Sequence, residues 1–473
     1  MTKAKSDKLT LKHIIGYGAG DCGGCFGLYM VSMYMSRYLQ VNMGVNAALL
    51  ATILLVWNIW DTVNDPLMGT IMDMCFAKAK PGADKFRPWI LASIPIMFVG
   101  IISFYAVPAM LEGTAMVVAA FLLKIVFEGG YTMMNIGMGS LLGNMAKNDN
   151  ERAILASARG FGSTACQLIG GAAIPLFLGK FGTDNAGYAK TAVILACMMA
   201  VTVFIHWAWT EERNKGVASN VEKTEEEKAA EKFKLTDILN IVTKNRAFLA
   251  LVLHSVCICA VQSLGQGAAQ YMYIDVMKDV AMQGYASTIG SILIIVILAS
   301  APVLTKKWDL VAIIRTCLLA GAIGMGALLA YVLLVPDFNN WLFVIWNSLA
   351  TACITMSVQM QWGLVAESID YNEYLTGKRN EGTIYGFFSL SRRLGSTISS
   401  SLSVIMIAAI GFNAEVSLAG GDQTPTVENW LKIMVVGFPM IAAIGSFSCF
   451  TFIWNINKDV RAKMAEWKAA KAG

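Results

Sequence analysis

The sequence predicts an all-α polytopic membrane protein of about twelve transmembrane helices in two six-helix bundles. Three observations lead there. Charged residues make up 15% of the 473-residue chain against 56% hydrophobic, whereas a soluble domain carries about a quarter charged. Runs such as Ile289 to Leu298 and Cys317 to Val335 carry no charge, and a bilayer core needs about 20 apolar residues per helix. A single charge-dense stretch, Glu211 to Arg246, separates six apolar segments from six.

The expected spans of the first half are 14–36, 44–74, 88–110, 114–144, 152–179 and 188–210. Those of the second are 247–274, 281–304, 309–335, 338–368, 380–412 and 429–455. This gives a first bundle over 1–210, a cytoplasmic linker over 211–246, and a second bundle with a cytoplasmic tail over 247–473. The linker reads as a solvated connector, rich enough in Glu, Lys and Ala to be partly helical. Lysine and arginine collect on one side: Lys3, Lys5, Lys8 and Lys12, then Lys78, Lys80, Lys85 and Arg87, then Lys147 and Arg152. The opposite loops hold little beyond Arg37, Lys180, Lys190, Lys278 and Lys432. By the positive-inside rule both termini are cytoplasmic, in the plasma (inner) membrane. The net charge of +5 therefore reports topology and calls for no nucleic-acid partner.

Span 1 is rich in glycine and has no small-residue cleavage site, so it is not read as a signal peptide. Gly16, Gly20, Gly23 and Gly27 recur every three to four residues and form one face for close helix approach. Gly18 to Gly23 matches G-x-G-x-x-G, but a dinucleotide site needs a preceding strand, so that reading is rejected. Cys22 and Cys25 form a C-x-x-C, one part of a set of 10 Cys placed in or at the ends of spans. Small packing residues explain them.

Span 2 holds the most informative segment, Trp57-Asn-Ile-Trp-Asp-Thr-Val-Asn-Asp-Pro-Leu-Met-Gly69. Asp61 and Asp65 lie four apart and share a helix face. Two carboxylates in a bilayer-spanning helix are costly and mark function. A bound Na⁺, Li⁺ or proton relieves their repulsion. Asn64 offers a neutral oxygen, and Pro66 frees the carbonyl of Thr62. Hard cations prefer such ligands. The plainer alternative places both Asp residues at the cytoplasmic end, as caps or partners of loop cations. Span 4 carries Lys124 and Glu128 at i,i+4, a candidate charge pair, read as a neutralised pair or as a direct participant in substrate binding or proton transfer. His206 and His254 read as packing residues.

The two halves echo each other. Arg159-Gly-Phe-Gly-Ser163 follows span 4, and Arg392-Arg-Leu-Gly-Ser396 follows span 10. Parallel six-helix halves related by an axis along the membrane normal describe the major facilitator architecture. Asp370, Glu373, Arg379 and Glu381 fall in a polar connection between spans 10 and 11. They are expected to form salt bridges that close the cytoplasmic side in the outward-open state.

W-D-x-x-N-D-P-x-M-G at 60–69 is followed by Lys85-Phe-Arg-Pro-Trp89, Tyr131-Thr-Met-Met-Asn135, Asp370-Tyr-Asn-Glu373 with Arg379-Asn-Glu-Gly382, and Arg392-Arg-Leu-Gly395. In this order and over both halves, the set resembles the glycoside–pentoside–hexuronide:cation symporter family, of which the melibiose permease is a member. The resemblance implies cation ligands at Asp61, Asn64, Asp65 and Thr132, and sugar contacts from Tyr131, Asn135, Arg159, Ser389 and Arg393. Sequence reading alone leaves open that Arg159 and Arg393 face a loop and pair with lipid phosphates. Three positions depart from the melibiose permease. Cys25 and Asn135 stand where it has sugar-binding carboxylates, and Gly139 where it has an aromatic platform, so melibiose specificity does not transfer.

The expected function is symport of a sugar or glycoside with Na⁺ or H⁺ by alternating access, by a functional monomer in the bilayer with no cofactor beyond the coupling cation. Loss of the carboxylates at Cys25 and Asn135, with Arg159 and Arg393 kept, moves the site toward positive charge and toward an anionic cargo such as a hexuronide. The alternative is a cation-coupled lysolipid transporter on the same scaffold. No H-E-x-x-H or G-x-S-x-G motif and no metal cluster in a span supports an intramembrane enzyme.

Overall fold

The computed structural model describes residues 9–77, 83–147, 149–213, 244–304, 307–377 and 381–472. The described residues are helical and contain no strand. We number the α-helices α1 (Leu11–Arg37), α2 (Ala47–Ala77), α3 (Arg87–Ala106), α4 (Gly113–Met145), α5 (Asp149–Phe181) and α6 (Asn185–Trp209). There follow α7 (Arg246–Val256), α8 (Ser263–Tyr271), α9 (Ala281–Leu304), α10 (Leu310–Leu334), α11 (Asn340–Thr376) and α12 (Glu381–Ala409). The last four are α13 (Ala414–Leu418), α14 (Pro425–Lys432), α15 (Phe438–Ser448) and α16 (Lys458–Ala472).

Among the described residues, eight stretches are long and apolar enough to cross a membrane, including Arg246–Val276 and Pro425–Ile453, each built from α-helix joined through wide π-turns. Ala47–Asp61 and Ala281–Ile297 are shorter apolar helices. α1 and α12, diluted by glycine and by serine and arginine, stand at the places of expected spans 1 and 11. Large apolar side chains such as Val99, Val296 and Ile323 are exposed along these helices. A water-soluble fold avoids broad apolar surface of this kind, which suits lipid.

The chain forms two compact units. The first contains α1–α6 with Lys278–Thr288 and Asn413–Gly421. Its axis is α1, and the glycine face predicted from sequence lies against α6. A Cβ at Gly16 would stand 2.6 Å from Trp209, at Gly20 2.7 Å from His206, and at Gly23 2.5 Å from Thr202. On another side a Cβ at Gly162 of α5 would run into the Gly18 carbonyl oxygen. Only glycine permits these approaches. His206 is fully buried, its Nδ1 2.9 Å from the Gly16 carbonyl oxygen, as befits a packing residue.

The KFRPW segment opens α3. The backbone amides of Lys85, Phe86 and Arg87 donate to the Glu212 carboxylate at 2.9, 2.6 and 3.1 Å. An anion at a helix N-terminus satisfies donors that have no partner within the helix. Arg87 bonds Asp84 at 2.8 Å and the Trp207 carbonyl at 3.0 Å. Arg213 donates to the Met145 carbonyl at 3.0 Å and to Glu151 at 2.8 Å. Glu212 and Arg213, expected in a free linker, thus fasten the ends of α3, α4 and α5. The rest of that stretch up to residue 243 lies outside the described residues. The Lys147 amide and the Arg213 guanidinium hold the Glu151 carboxyl below the ordinary carboxylate value.

The second unit contains described residues 244–277, Ile289–Phe412 and those from Asp422 onward. Asn245 caps α7, accepting from the Phe248 amide at 2.9 Å. Arg315 of α10 donates through Nε to the Phe450 carbonyl at 2.8 Å, in the π-turn Cys449–Ile453. A wide turn leaves carbonyls without their usual partner, and Arg315 supplies one. α16 is tied down by Arg461, which bonds Asp309 at 2.6 Å and also pairs with Glu367.

Candidate functional site

Two polar clusters form in the first unit, and α4 contributes to both. In the first, Lys124, Glu128 and Thr132 are spaced four apart and line one face of α4. Trp57, Asp61 and Asn64 of α2 carry the matching i, i+4, i+7 pattern. Asn64 is buried and donates through Nδ2 to Thr132 Oγ1 at 3.0 Å. Glu128 accepts from the Lys124 ammonium, and the Asp61 carboxyl lies close enough to interact with it. The ammonium also lies 4.6 Å from the centre of the Trp57 ring, which stacks on Phe121. The candidate charge pair and the expected cation ligands Asp61, Asn64 and Thr132 therefore form one cluster. Its donors are carboxylate, amide and hydroxyl oxygens, the set a hard monovalent cation or a proton would use. The Asp65 side chain lies outside the described residues.

The second cluster joins α1, α4 and α5. Arg159 donates through Nε to Asp21 Oδ1 at 3.1 Å and through NH2 to Asn135 Oδ1 at 2.9 Å. These bonds draw Arg159 toward α1 and α4, against the alternative in which it pairs with lipid phosphate. Cys25, one turn beyond Asp21, lies near Cys166 and Ser163. The Tyr131 ring packs beside Gly24, where a Cβ would be 3.3 Å away. At Gly139 a Cβ would stand 3.7 Å from Arg159 NH1. The position that differs from the aromatic platform therefore leaves space beside the guanidinium.

Asp21 is the residue the sequence reading missed. An acid in the middle of a span is itself a functional signal, but the glycine pattern and the comparison at Cys25 pointed elsewhere. Its presence changes the charge argument. Arg159 does not stand as an uncompensated cation, because α1 supplies a carboxylate one turn before Cys25. The Ser389 and Arg393 side chains lie outside the described residues. Of the expected gate, Asp370 and Glu373 sit on the last turns of α11, which ends at Gly377 with φ +72°. Arg379 and the Glu381 side chain lie outside the described residues.

With two helix-borne polar clusters in place, comparison with known proteins decides the family. A family model described as MFS/sugar transport protein matches residues 16–458. The chain belongs to that family. As an MFS/sugar transport protein it is a multi-pass membrane transporter and not an enzyme. It is 26% identical over 464 residues to the uncharacterized symporter YjmB of Bacillus subtilis (strain 168), covering 97% of this chain and 95% of that one. It is also 26% identical to the glucuronide carrier protein homolog of Escherichia coli (strain K12), covering 95% and 93%. These relatives agree with the resemblance read from the motifs. The MFS fold is seen again in the crystal structure of a D-xylose-proton symporter, with a TM-score of 0.60 at 12% identity over 93% of this chain and 97% of that one.

Proposed function

We propose that this MFS/sugar transport protein is a cation-coupled symporter that imports an acidic sugar or glycoside, of the hexuronide class, by alternating access. The observation that carries this reading is the sharing of α4. Thr132, bonded to Asn64 in the cation cluster, and Asn135, bonded to Arg159 in the sugar cluster, lie three residues apart on the same helix. Cation binding at Asp61, Asn64, Asp65 and Thr132 orders this part of α4 and so presents Asn135 and Arg159 to the sugar. Tyr131 and Cys25 border the same place, and Ser389 and Arg393 stay expected sugar contacts on the family resemblance alone. The Arg159 guanidinium suits a carboxylate, and one relative is named for glucuronide. Both termini face the cytoplasm of the inner membrane in this reading, with 1–210 and 247–473 as its two bundles.

The test is uptake into proteoliposomes of a glucoside and its glucuronide, each with and without Na⁺ and with an imposed pH gradient. Accumulation of the glucuronide should follow one of the two cation gradients. Asp61→Asn should abolish accumulation while the protein stays folded, because Asn is close in shape. Normal accumulation by this variant would remove the cation cluster from the mechanism. Competition by lysolipid but by neither sugar would replace the cargo.

A further inference from the structure

We propose that Asp21 is a built-in occupant of the place that receives the cargo's acid group, and that transport proceeds by exchange of the Asp21 carboxylate for the cargo's on Arg159. The inference rests on the reading that the cluster of α1, α4 and α5 receives a sugar. A guanidinium offers planar edges that a single carboxylate can take with two parallel hydrogen bonds. Here the Nε/NH2 edge is shared by two residues, each giving one oxygen: Asp21 at 3.1 Å and Asn135 at 2.9 Å. An incoming carboxylate that spans the edge makes the better pair and releases Asp21.

Exposure separates this pair from the fastening pairs of the same unit. Arg213 and Glu151 are only 5% and 14% exposed, and Arg213 also holds a backbone carbonyl. Arg159 is 36% exposed against 13% for Asp21, and beside its NH1 stands Gly139, which puts no side chain in the way. The guanidinium is thus reachable, while its partner sits deeper. Exchange leaves the Asp21 carboxylate in a mostly buried setting without its cation, which is costly. That cost keeps cargo affinity modest and drives Asp21 back onto Arg159 when the cargo leaves. A carrier needs this property, since a site that binds too well does not release.

The test uses the full chain in lipid nanodiscs, with methyl β-glucuronide and methyl β-glucoside titrated calorimetrically. Asp21→Asn removes the competing charge and nearly keeps the shape. It should raise the ratio of glucuronide to glucoside affinity by roughly tenfold or more, whereas Asp21→Glu should keep the ratio within about twofold. Labelling of Arg159 by phenylglyoxal, read by peptide mass mapping, should rise in Asp21→Asn without cargo and be suppressed by glucuronide. If both sugars bind and the Asp21→Asn ratio is unchanged or lower, exchange is overturned while the cargo reading stands. If neither sugar binds and glucuronide gives Arg159 no protection, both fall together. Phenylglyoxal labelling that ignores Asp21→Asn also overturns the proposal, because Asp21 then does not hold the guanidinium.

Discussion

Lys124 and Glu128 lie in a buried ion pair that faces Trp57 and Asp61. Removing one partner of such a pair leaves a lone charge and costs about 3–5 kcal/mol. Lys124→Met should therefore lower the unfolding temperature in detergent sharply. The double change Lys124→Met with Glu128→Leu should recover most of the loss, because it removes both charges. A double variant no more stable than the single would show that Glu128 answers to Asp61 more than to Lys124. At this scale the legible residues were those whose signal is local. Asp61 and Asn64 stand in one helical segment, and Lys124, Glu128 and Thr132 share a face by spacing alone. What spacing does not contain is which α2 face meets which α4 face. Asp21 carried a local signal of its own; what spacing hid was its partner, since Arg159 lies 138 residues away.

Among the elements, the start of α3 depends on Glu212, a residue just beyond the end of α6. Glu212→Gln keeps hydrogen-bonding capacity but removes the charge from three backbone amides. The expected cost is about 1–2 kcal/mol, seen as a lower unfolding temperature, and an unchanged value would show that the amides find other acceptors. Glu151 gives a pH signature. Its folded value lies below the ordinary carboxylate value of about 4.3, so its contribution is complete above that and is lost as pH falls through the lowered value. The stability difference between the native protein and Glu151→Gln should hold constant from neutral pH down to about pH 5 and shrink only in stronger acid. The span limits were legible because apolar length dominates them. Span 3 was expected over 88–110, and α3 with its following 3-10 turn covers Arg87–Met110. The π-turns were not legible, since an extra residue per turn does not alter hydropathy. Nor was the Glu212 cap, because a carboxylate that holds amides reads the same in sequence as one in water.

For the whole molecule, coupling has a thermodynamic signature independent of the route between clusters. If the cation tightens sugar binding by some factor, the sugar tightens cation binding by the same factor, of order 5–150 for typical coupling. Both factors are measurable by titrating each ligand at zero and saturating levels of the other. They should agree in the native protein and approach one in Asn64→Ala, which cuts the bond to Thr132. Unequal factors would mean that one titration reports a second site. The overall architecture was legible because a bilayer imposes one condition on every span, whereas cargo depends on a few side chains brought together from distant positions. The Glu212 cap bears finally on how the gene could be divided. Two open reading frames that meet just after Arg213 would leave the upstream product with its own acidic plug for α3 and its own tether for α5. Moving the junction three codons upstream would hand both fittings to the other polypeptide, and the upstream product would leave the ribosome with bare amides at the start of its third span.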